Sequence, residues 1–406
     1  MVLARIFKQD FDLPLLLAVV LATLFGIGAI YSATYNWEYG APGSIYERQI
    51  IWSAIAVVAF LLTLFVPPKF YYAFAYILYG VSICLLVLVL LFGDSRWFDL
   101  GPLHMQPSEL AKIATILALA RYLSSRNLDL DRPRSLVTSF LLVLLPAVLV
   151  FRQPDLGTAL VFISVLLPML YWAGMRPVVL FFLISPFLSV ICAFHYVALV
   201  VLVLAIAAVI FLVRPRRLMT AAIVVVNLAV AVGAPYLWEN KLHDYQRRRI
   251  LTFLNPDMDK LGAGYQVLQS KVAIGSGGFN GKGYLQGTQT KLSFLPEQHT
   301  DFVFSVIGEE FGFLGAMLVL ALFLLIIWRA IHIAGLVKSR FSSLVAIGLA
   351  TMVTFHVFVN IGMTVGVVPV TGLPLPYFSY GGSQLVVNLI LAGLLLNIYA
   401  YRHEYY

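Results

Sequence analysis

From Pro177 to Val213 the chain runs for 37 residues without one Asp, Glu, Lys or Arg. As a single helix this stretch would extend about 55 Å at about 1.5 Å per residue. The hydrocarbon core of a bilayer is only about 30 Å thick. The segment is therefore expected as a hairpin of two crossings that turns near His195-Tyr196; a re-entrant hairpin would keep the same parity. The rest of the chain agrees with a membrane setting. Of its 406 residues 61% are hydrophobic and 11% charged, against about 25% charged in an average soluble domain. So few charges cannot cover a water-soluble surface, and so much apolar surface cannot stay disordered. The fold class is an all-α polytopic membrane protein.

Further apolar segments of spanning length fall at 12–32, 50–66, 70–92, 107–123, 135–151, 157–173, 218–237, 301–328, 342–364 and 380–401. With the hairpin they make about twelve transmembrane helices in one integral membrane domain, 1–406. Arg5 and Lys8 precede an apolar run longer than the about 7–15 residues of a signal-peptide core, so the first segment reads as a retained span. Cys84 and Cys192 sit inside apolar runs, where packing is their expected role. With the N-terminus inside, the cytoplasmic connections hold fifteen Lys and Arg, from Arg5 and Lys8 to Arg402. The short outside connections hold three: Arg48, Arg96 and Arg152. That asymmetry follows the positive-inside rule and places both termini in the cytoplasm. It also accounts for most of the net charge of +8, so nucleic acid is not an expected partner.

The long hydrophilic segment 239–300 then lies outside. It carries Arg247, Lys282 and six further cations, which suit an anionic ligand or an anionic headgroup layer. Its glycines, in Gly275-Ser276-Gly277-Gly278 and Gly281-Lys282-Gly283, would let backbone amides approach a phosphate closely, though a flexible linker is the plainer reading. The spacing of a nucleotide-binding P-loop is absent. Asp257, Asp259, Glu297 and Asp301 offer carboxylates for a general base or a divalent cation, and His299 a base or ligand. Three broken segments flank this loop in the topology. Gln106-Pro107-Ser108-Glu109 starts a helix, with Ser108 or Gln106 as cap, and places Glu109 and Lys112 on one helix face. Arg152-Gln153-Pro154-Asp155 breaks the chain, with Asp155 as a cap. The stretch 366–383 is rich in Pro and Gly and cannot continue as helix. Irregular backbone at membrane depth is tolerated where it lines a cavity, so these segments are expected to converge on one polar cavity facing outward.

Taken in order, these motifs resemble the shape, elongation, division and sporulation family of cell-wall proteins. The carrying residues are Arg48-Gln49 with Trp52, Arg96-Trp97, Gln106-Pro107-Ser108-Glu109 with Lys112, and Gln153-Pro154-Asp155-Leu156-Gly157. To these are added Pro256-x-x-Asp259-x-x-Gly262-x-Gly264-Tyr265-Gln266, Leu295-Pro296-Glu297 with His299-Thr300-Asp301, Glu309-Glu310, Asn360-Ile361-Gly362-Met363, and Pro374-Leu375-Pro376 with Ser379-Tyr380-Gly381-Gly382-Ser383. The glycine pattern at 275–289 looks like the elongation branch rather than the division branch. The resemblance implies a peptidoglycan glycosyltransferase that polymerises lipid II on the outer face of the bacterial cytoplasmic membrane during cell elongation. Its implied partners are a class B penicillin-binding protein, a transpeptidase, and other elongation-machinery membrane proteins.

Asp259 matches the family's required carboxylate and is the implied catalytic residue, in a catalytic loop at 239–300; Asp257 does not match the motif position. Arg48, Trp97, Gln106, Glu109, Lys112, Asp155, Arg247, Gln266, Lys282, Glu297, His299, Asn360 and Ser379 are the implied substrate-binding residues. No metal ligand set is implied, although a divalent cation, Mg2+ or Mn2+, would suit a pyrophosphate leaving group. Two features depart from the pattern. Family members typically have ten spans, so 177–213 looks like an inserted hairpin, and Gln384 stands where the family often has Ser. A lipid II flippase and a non-catalytic scaffold for a transpeptidase are the rival readings.

Overall fold

The computed structural model describes residues 11–36, 41–42, 44–93, 96–100, 103–126, 128–130, 132–214, 217–240, 247, 251–253, 262–292 and 294–404. Asp257 and Asp259 lie outside the described residues, as do Lys241, Arg248, Arg249 and Lys260.

Every segment expected to span is helical. The first six helices are α1 (Leu13–Thr34), α2 (Ser44–Phe65), α3 (Pro68–Phe92), α4 (Pro107–Leu123), α5 (Pro133–Arg152) and α6 (Leu156–Trp172). They are followed by α7 (Pro177–Cys192), α8 (Tyr196–Val213) and α9 (Arg217–Asn240). The hydrophilic segment contributes α10 (Ala263–Gly277) and the short α11 (Thr288–Lys291), and the chain closes with α12 (Val303–Leu336), α13 (Arg340–Thr364) and α14 (Gly382–Ala400). Among the described residues, nine helices are long and apolar enough to cross a membrane by length and composition. The remaining three expected spans, α4, α6 and α7, have 17, 17 and 16 residues. Two antiparallel hairpins occupy connections at one end: β1 (Tyr35–Asn36) pairs with β2 (Ala41–Pro42), and β3 (Phe98–Leu100) with β4 (Leu103–Met105), Phe98 opposite Met105.

The stretch 177–213 turns as its length requires. The chain reverses between Cys192 and Tyr196, and His195 Nδ1 accepts from Ala198 N at 3.3 Å to cap α8. Together α7, α8 and α9 share a small core of Phe182, Leu202, Ile206 and Ile223, separate from the main one. Asn227 of α9 ties this unit together, donating to Ser185 Oγ at 3.0 Å and accepting from Ser189 Oγ at 2.8 Å. Lipid offers no hydrogen-bond partner, so polar side chains in such helices seek one another.

The main core is built around α4, α13 and α14, which bury most of their residues. Because α4 meets protein on nearly every side, it can carry Ser108, Glu109, Lys112 and Thr115, all buried, where a lipid-facing helix could not. At the far end Asp12 caps α1 through Leu15 N (3.1 Å) and receives Arg329 Nε from α12 at 3.0 and 2.9 Å, one contact to each carboxyl oxygen.

The expected span at 301–328 is a longer helix with a break. Gly312 has φ 61° and ψ −154°, a conformation open only to glycine at low cost. The break frees helix carbonyls and amides, and the glycine-rich run enters it. Lys282 N and Gly283 N donate to Glu309 O (3.0 Å) and Glu310 O (2.9 Å), while Phe313 N donates to Gly278 O (2.9 Å). A Cβ on Gly281, itself at φ 80°, would stand 2.1 Å from Glu310 O. The glycines at 275–283 are thus neither a flexible linker nor a phosphate cradle. The amides of Gly281, Lys282 and Gly283 are used, and the missing side chains of Gly277 and Gly281 allow close packing on α12. Gly281→Ala is expected to lower the melting temperature in detergent markedly. The left-handed backbone alone costs an L-residue about 1–2 kcal/mol, and the backbone clash adds to it.

Candidate functional site

The helices α2, α4, α6, α12 and α14 all begin at the same end of the bundle, where their N-terminal dipoles favour negative charge. A cavity of about 650 Å³ opens among these starts. Arg48 and Trp52 reach it from the first turns of α2, and Arg96 and Trp97 from the approach to β3. Gln106 and Glu109 of the α4 start, Asp155 and Thr158 of the α6 start, and Glu297, Thr300 and Asp301 before α12 complete one side. The other side is the irregular 372–381 stretch, with Pro374 and Tyr380, and the first turn of α14, with Ser383 and Gln384.

Local sequence explains why these side chains point here. Asp155 caps α6, accepting from Thr158 N at 3.0 Å with Oδ1, while its Oδ2 accepts from Thr158 Oγ1 (3.0 Å) and Gln106 Nε2 (3.1 Å). Arg96 donates to Pro154 O at 2.8 Å and stands 3.7 Å from Asp155. Gln106 therefore does not cap α4 with its side chain, as its position suggested. It bridges to α6 instead, and its backbone N–H donates to Ser383 Oγ at 3.1 Å. Ser108 does not cap either; it lies inside the first turn of α4 with its side chain buried. Glu297 adopts a left-handed backbone, φ 53°, a strain of the kind held at functional sites. Its carbonyl accepts from Asp301 N at 3.1 Å and its Oε2 from Thr300 Oγ1 at 3.1 Å.

Behind the cavity lies a buried ion pair. Lys112 Nζ donates to Glu109 Oε1 at 2.8 Å and lies 3.2 Å from His356 Nε2. His356 Nδ1 stands 2.8 Å from Met352 O; a carbonyl only accepts, which assigns the ring proton to Nδ1 and leaves Nε2 to accept from the ammonium. His356, which sequence reading did not single out, thus completes the environment of Lys112.

Six of the expected site residues, Arg48, Trp97, Gln106, Glu109, Asp155 and Glu297, line one cavity. The others are placed elsewhere. Lys112 stands behind Glu109. Lys282 is held by Glu309 Oε1 (2.7 Å) and Thr288 Oγ1 (2.7 Å), with Glu309 fully buried, so its charge anchors the loop to α12. Arg247 donates to Glu239 O near the end of α9, and Gln266 sits in the first turn of α10, its backbone N–H donating to Gly262 O. Asn360 clamps two loops, donating to Asp301 O (2.9 Å) and Leu373 O (2.8 Å), and Ser379 Oγ accepts from Leu375 N (2.8 Å). These two shape the cavity wall from behind. Trp52, Arg96 and Tyr380 were in quoted motifs but not among the expected site residues, Asp301 was a candidate carboxylate, and Gln384 was a departure from the pattern; the tertiary arrangement brings all five to the cavity. Asp259 lies outside the described residues. Among the described residues no three His, Cys, Asp or Glu side chains come together to hold a metal ion.

His299 packs its ring against Tyr380, 5.8 Å between centroids, and its carbonyl accepts from Tyr380 N at 2.8 Å. Burial lowers its pKa from the ordinary imidazole value, partly offset by Glu297. A histidine favoured neutral in the fold contributes stability above its unfolded pKa of about 6.5, lost as pH falls toward the folded value. Thermal stability is therefore expected to fall between about pH 7 and 5, and His299→Gln to flatten part of that slope in melts across pH.

The geometry can be set beside known proteins. The peptidoglycan glycosyltransferase MrdB of Escherichia coli K12 is 38% identical over 397 residues, covering 96% of this chain and 94% of that protein. A solved chain from work on the structural coordination of polymerization and crosslinking by a peptidoglycan synthase complex superposes with a TM-score of 0.73 at 31% identity, covering 97% of this chain and 99% of the other. The rod shape determining protein RodA of Thermus thermophilus superposes at a TM-score of 0.64 and 28% identity, covering 97% and 98%. The FtsW/RodA/SpoVE profile, described as a cell cycle protein, matches residues 13–200 and 197–404. The chain is an integral membrane protein and belongs to the FtsW/RodA/SpoVE family of cell cycle proteins.

Proposed function

We propose that this chain is a peptidoglycan glycosyltransferase of the elongation branch, polymerising lipid II on the outer face of the cytoplasmic membrane to maintain rod shape. One observation carries most weight: residues expected at the site from five separate motifs line a single polar cavity at the converging helix starts. The charge asymmetry of the connections supports placing that end outside and both termini inside.

In this reading Asp259 takes the proton from the C4 hydroxyl of the acceptor's N-acetylglucosamine. The freed oxygen forms a bond to the anomeric carbon of the donor as the bond to undecaprenyl pyrophosphate breaks, with inversion, and the electron pair leaves on the pyrophosphate. Arg48 and the helix N-termini are placed to stabilise that negative charge. A divalent cation enters the proposal only as a companion of the ligand's phosphates, since Mg2+ commonly needs just one or two carboxylates besides them. A class B penicillin-binding protein is the proposed membrane partner, with other elongation-machinery membrane proteins around the pair.

The test is glycan synthesis from lipid II by the purified protein, alone and with a class B penicillin-binding protein. Growth of glycan chains is expected, enhanced by the partner. Lipid II scrambling in liposomes without chain growth would replace the enzyme with a flippase. Failure of both, with the transpeptidase still activated, would leave a scaffold.

A further inference from the structure

Lys112 is held from two sides, and only one of them is local. Among the described residues its Nζ has two acceptors, Glu109 Oε1 at 2.8 Å and His356 Nε2 at 3.2 Å. Glu109 is three residues away on the same helix, and such a pair is worth only about 0.2–0.5 kcal/mol on a helix by itself. It does not fix where the ammonium sits. His356 reaches in from α13, and its ring is itself fixed: Nδ1 faces Met352 O one turn back, and the side chain is buried. The two helices come close enough for this contact because α13 carries Gly348 about two turns before His356. A Cβ there would stand 2.5 Å from Ile116 Cγ2, one turn beyond Lys112.

The consequence is electrostatic. Glu109 lines the cavity, whereas Lys112 and His356 are not among its lining residues, and the Lys112 side chain is 1% exposed. The cations that do line it are Arg48 and Arg96. An ammonium on so long a stem ordinarily turns its head toward water, and toward any anion in reach; the acceptor on His356 offsets that pull. We propose that His356 is a positioning residue: by accepting from Lys112 Nζ it retains that charge behind the cavity wall, where it orients Glu109 instead of meeting the ligand. This adds to the glycosyltransferase reading a residue to which that reading gives no role, and only the kinetic part of the test rests on that reading.

Three measurements on the full chain in detergent test this. NMR of isotopically labelled histidine nitrogens, with the His356 signal identified by its loss in His356→Gln, is expected to find the ring proton on Nδ1. A proton on Nε2 leaves no lone pair to accept with and overturns the proposal. A small water-soluble amine-acylating reagent is expected to spare Lys112 in the wild type and in His356→Gln, whose amide oxygen can stand where Nε2 stood. In His356→Leu, which has no acceptor, Lys112 should be modified about tenfold faster or more, read by mass spectrometry against the exposed Lys271. The kcat of glycan synthesis, per monodisperse protein, is expected to fall about 10- to 100-fold in His356→Leu and to stay near wild type in His356→Gln. Equal protection of Lys112 in all three proteins, an unchanged kcat in His356→Leu, or a His356→Gln variant as impaired as His356→Leu overturns the proposal. Should His356→Leu not give monodisperse protein, the position of the ring proton and the behaviour of His356→Gln decide. A wild type that makes no glycan loses the glycosyltransferase reading, while the ring proton and the acylation still decide where Lys112 is held.

Discussion

Purified Asp259→Ala protein is expected to make no detectable glycan from lipid II while folding and binding its transpeptidase partner as the wild type does. A positioned general base is worth about 10²–10⁴-fold in rate, enough to take a slow polymerase below detection in a gel assay. Asp257 lies two residues away with the same chemistry but off the motif position, so Asp257→Ala should retain most of the activity. The pair separates a specific base from a general need for negative charge in the loop. Wild-type synthesis by Asp259→Ala, with Asp257→Ala inactive, would move the role to the neighbour. Wild-type synthesis by both would remove it from this loop altogether. Monodispersity on size exclusion and capture of the partner are the controls that make a null result chemical rather than structural.

The second large effect concerns stability. Lys112→Met should destabilise the protein by about 3–5 kcal/mol, the usual consequence of leaving one member of a buried ion pair uncompensated. Glu109 would keep its carboxylate at 5% exposure with no cation against it, and His356 Nε2 would lose its donor. Glu109→Gln combined with Lys112→Met removes the stranded charge, and the double variant should melt at a higher temperature than Lys112→Met alone. Additive losses from the two substitutions would show that the pair is not coupled. Activity should not return with stability in the double variant, because Glu109 lines the cavity itself. That split between melting temperature and synthesis distinguishes a helix-packing role from a role at the ligand.

Much of this molecule was legible in the residues because the relevant signals are local. Apolar run length marks helices, so each of the twelve expected spans has its helix, and the length of 177–213 required a turn that the structure places at Ala193–His195. Chain breaks at Gln106-Pro107 and Gln153-Pro154-Asp155 mark helix starts, and cavity residues cluster at such starts; that is why Gln106, Glu109 and Asp155 could be picked out before any packing was known.

What the residues could not reveal depends on which segments meet. Lys282 looked available to an anionic ligand until Glu309, 27 positions on, was found against it. The glycines at 275–283 looked suited to a phosphate, yet their purpose is set by the break at Gly312 in another helix. Trp52 reaches the cavity because Gly382, far along the chain, leaves room for its ring. By itself the sequence determined the membrane-spanning helices, their order and the neighbourhood of the site, since periodicity, caps and breaks act over a few residues. Which polar atoms are left for a ligand was decided by the tertiary structure, because a hydrogen-bonding group is available only after every neighbour brought to it by packing has taken its share.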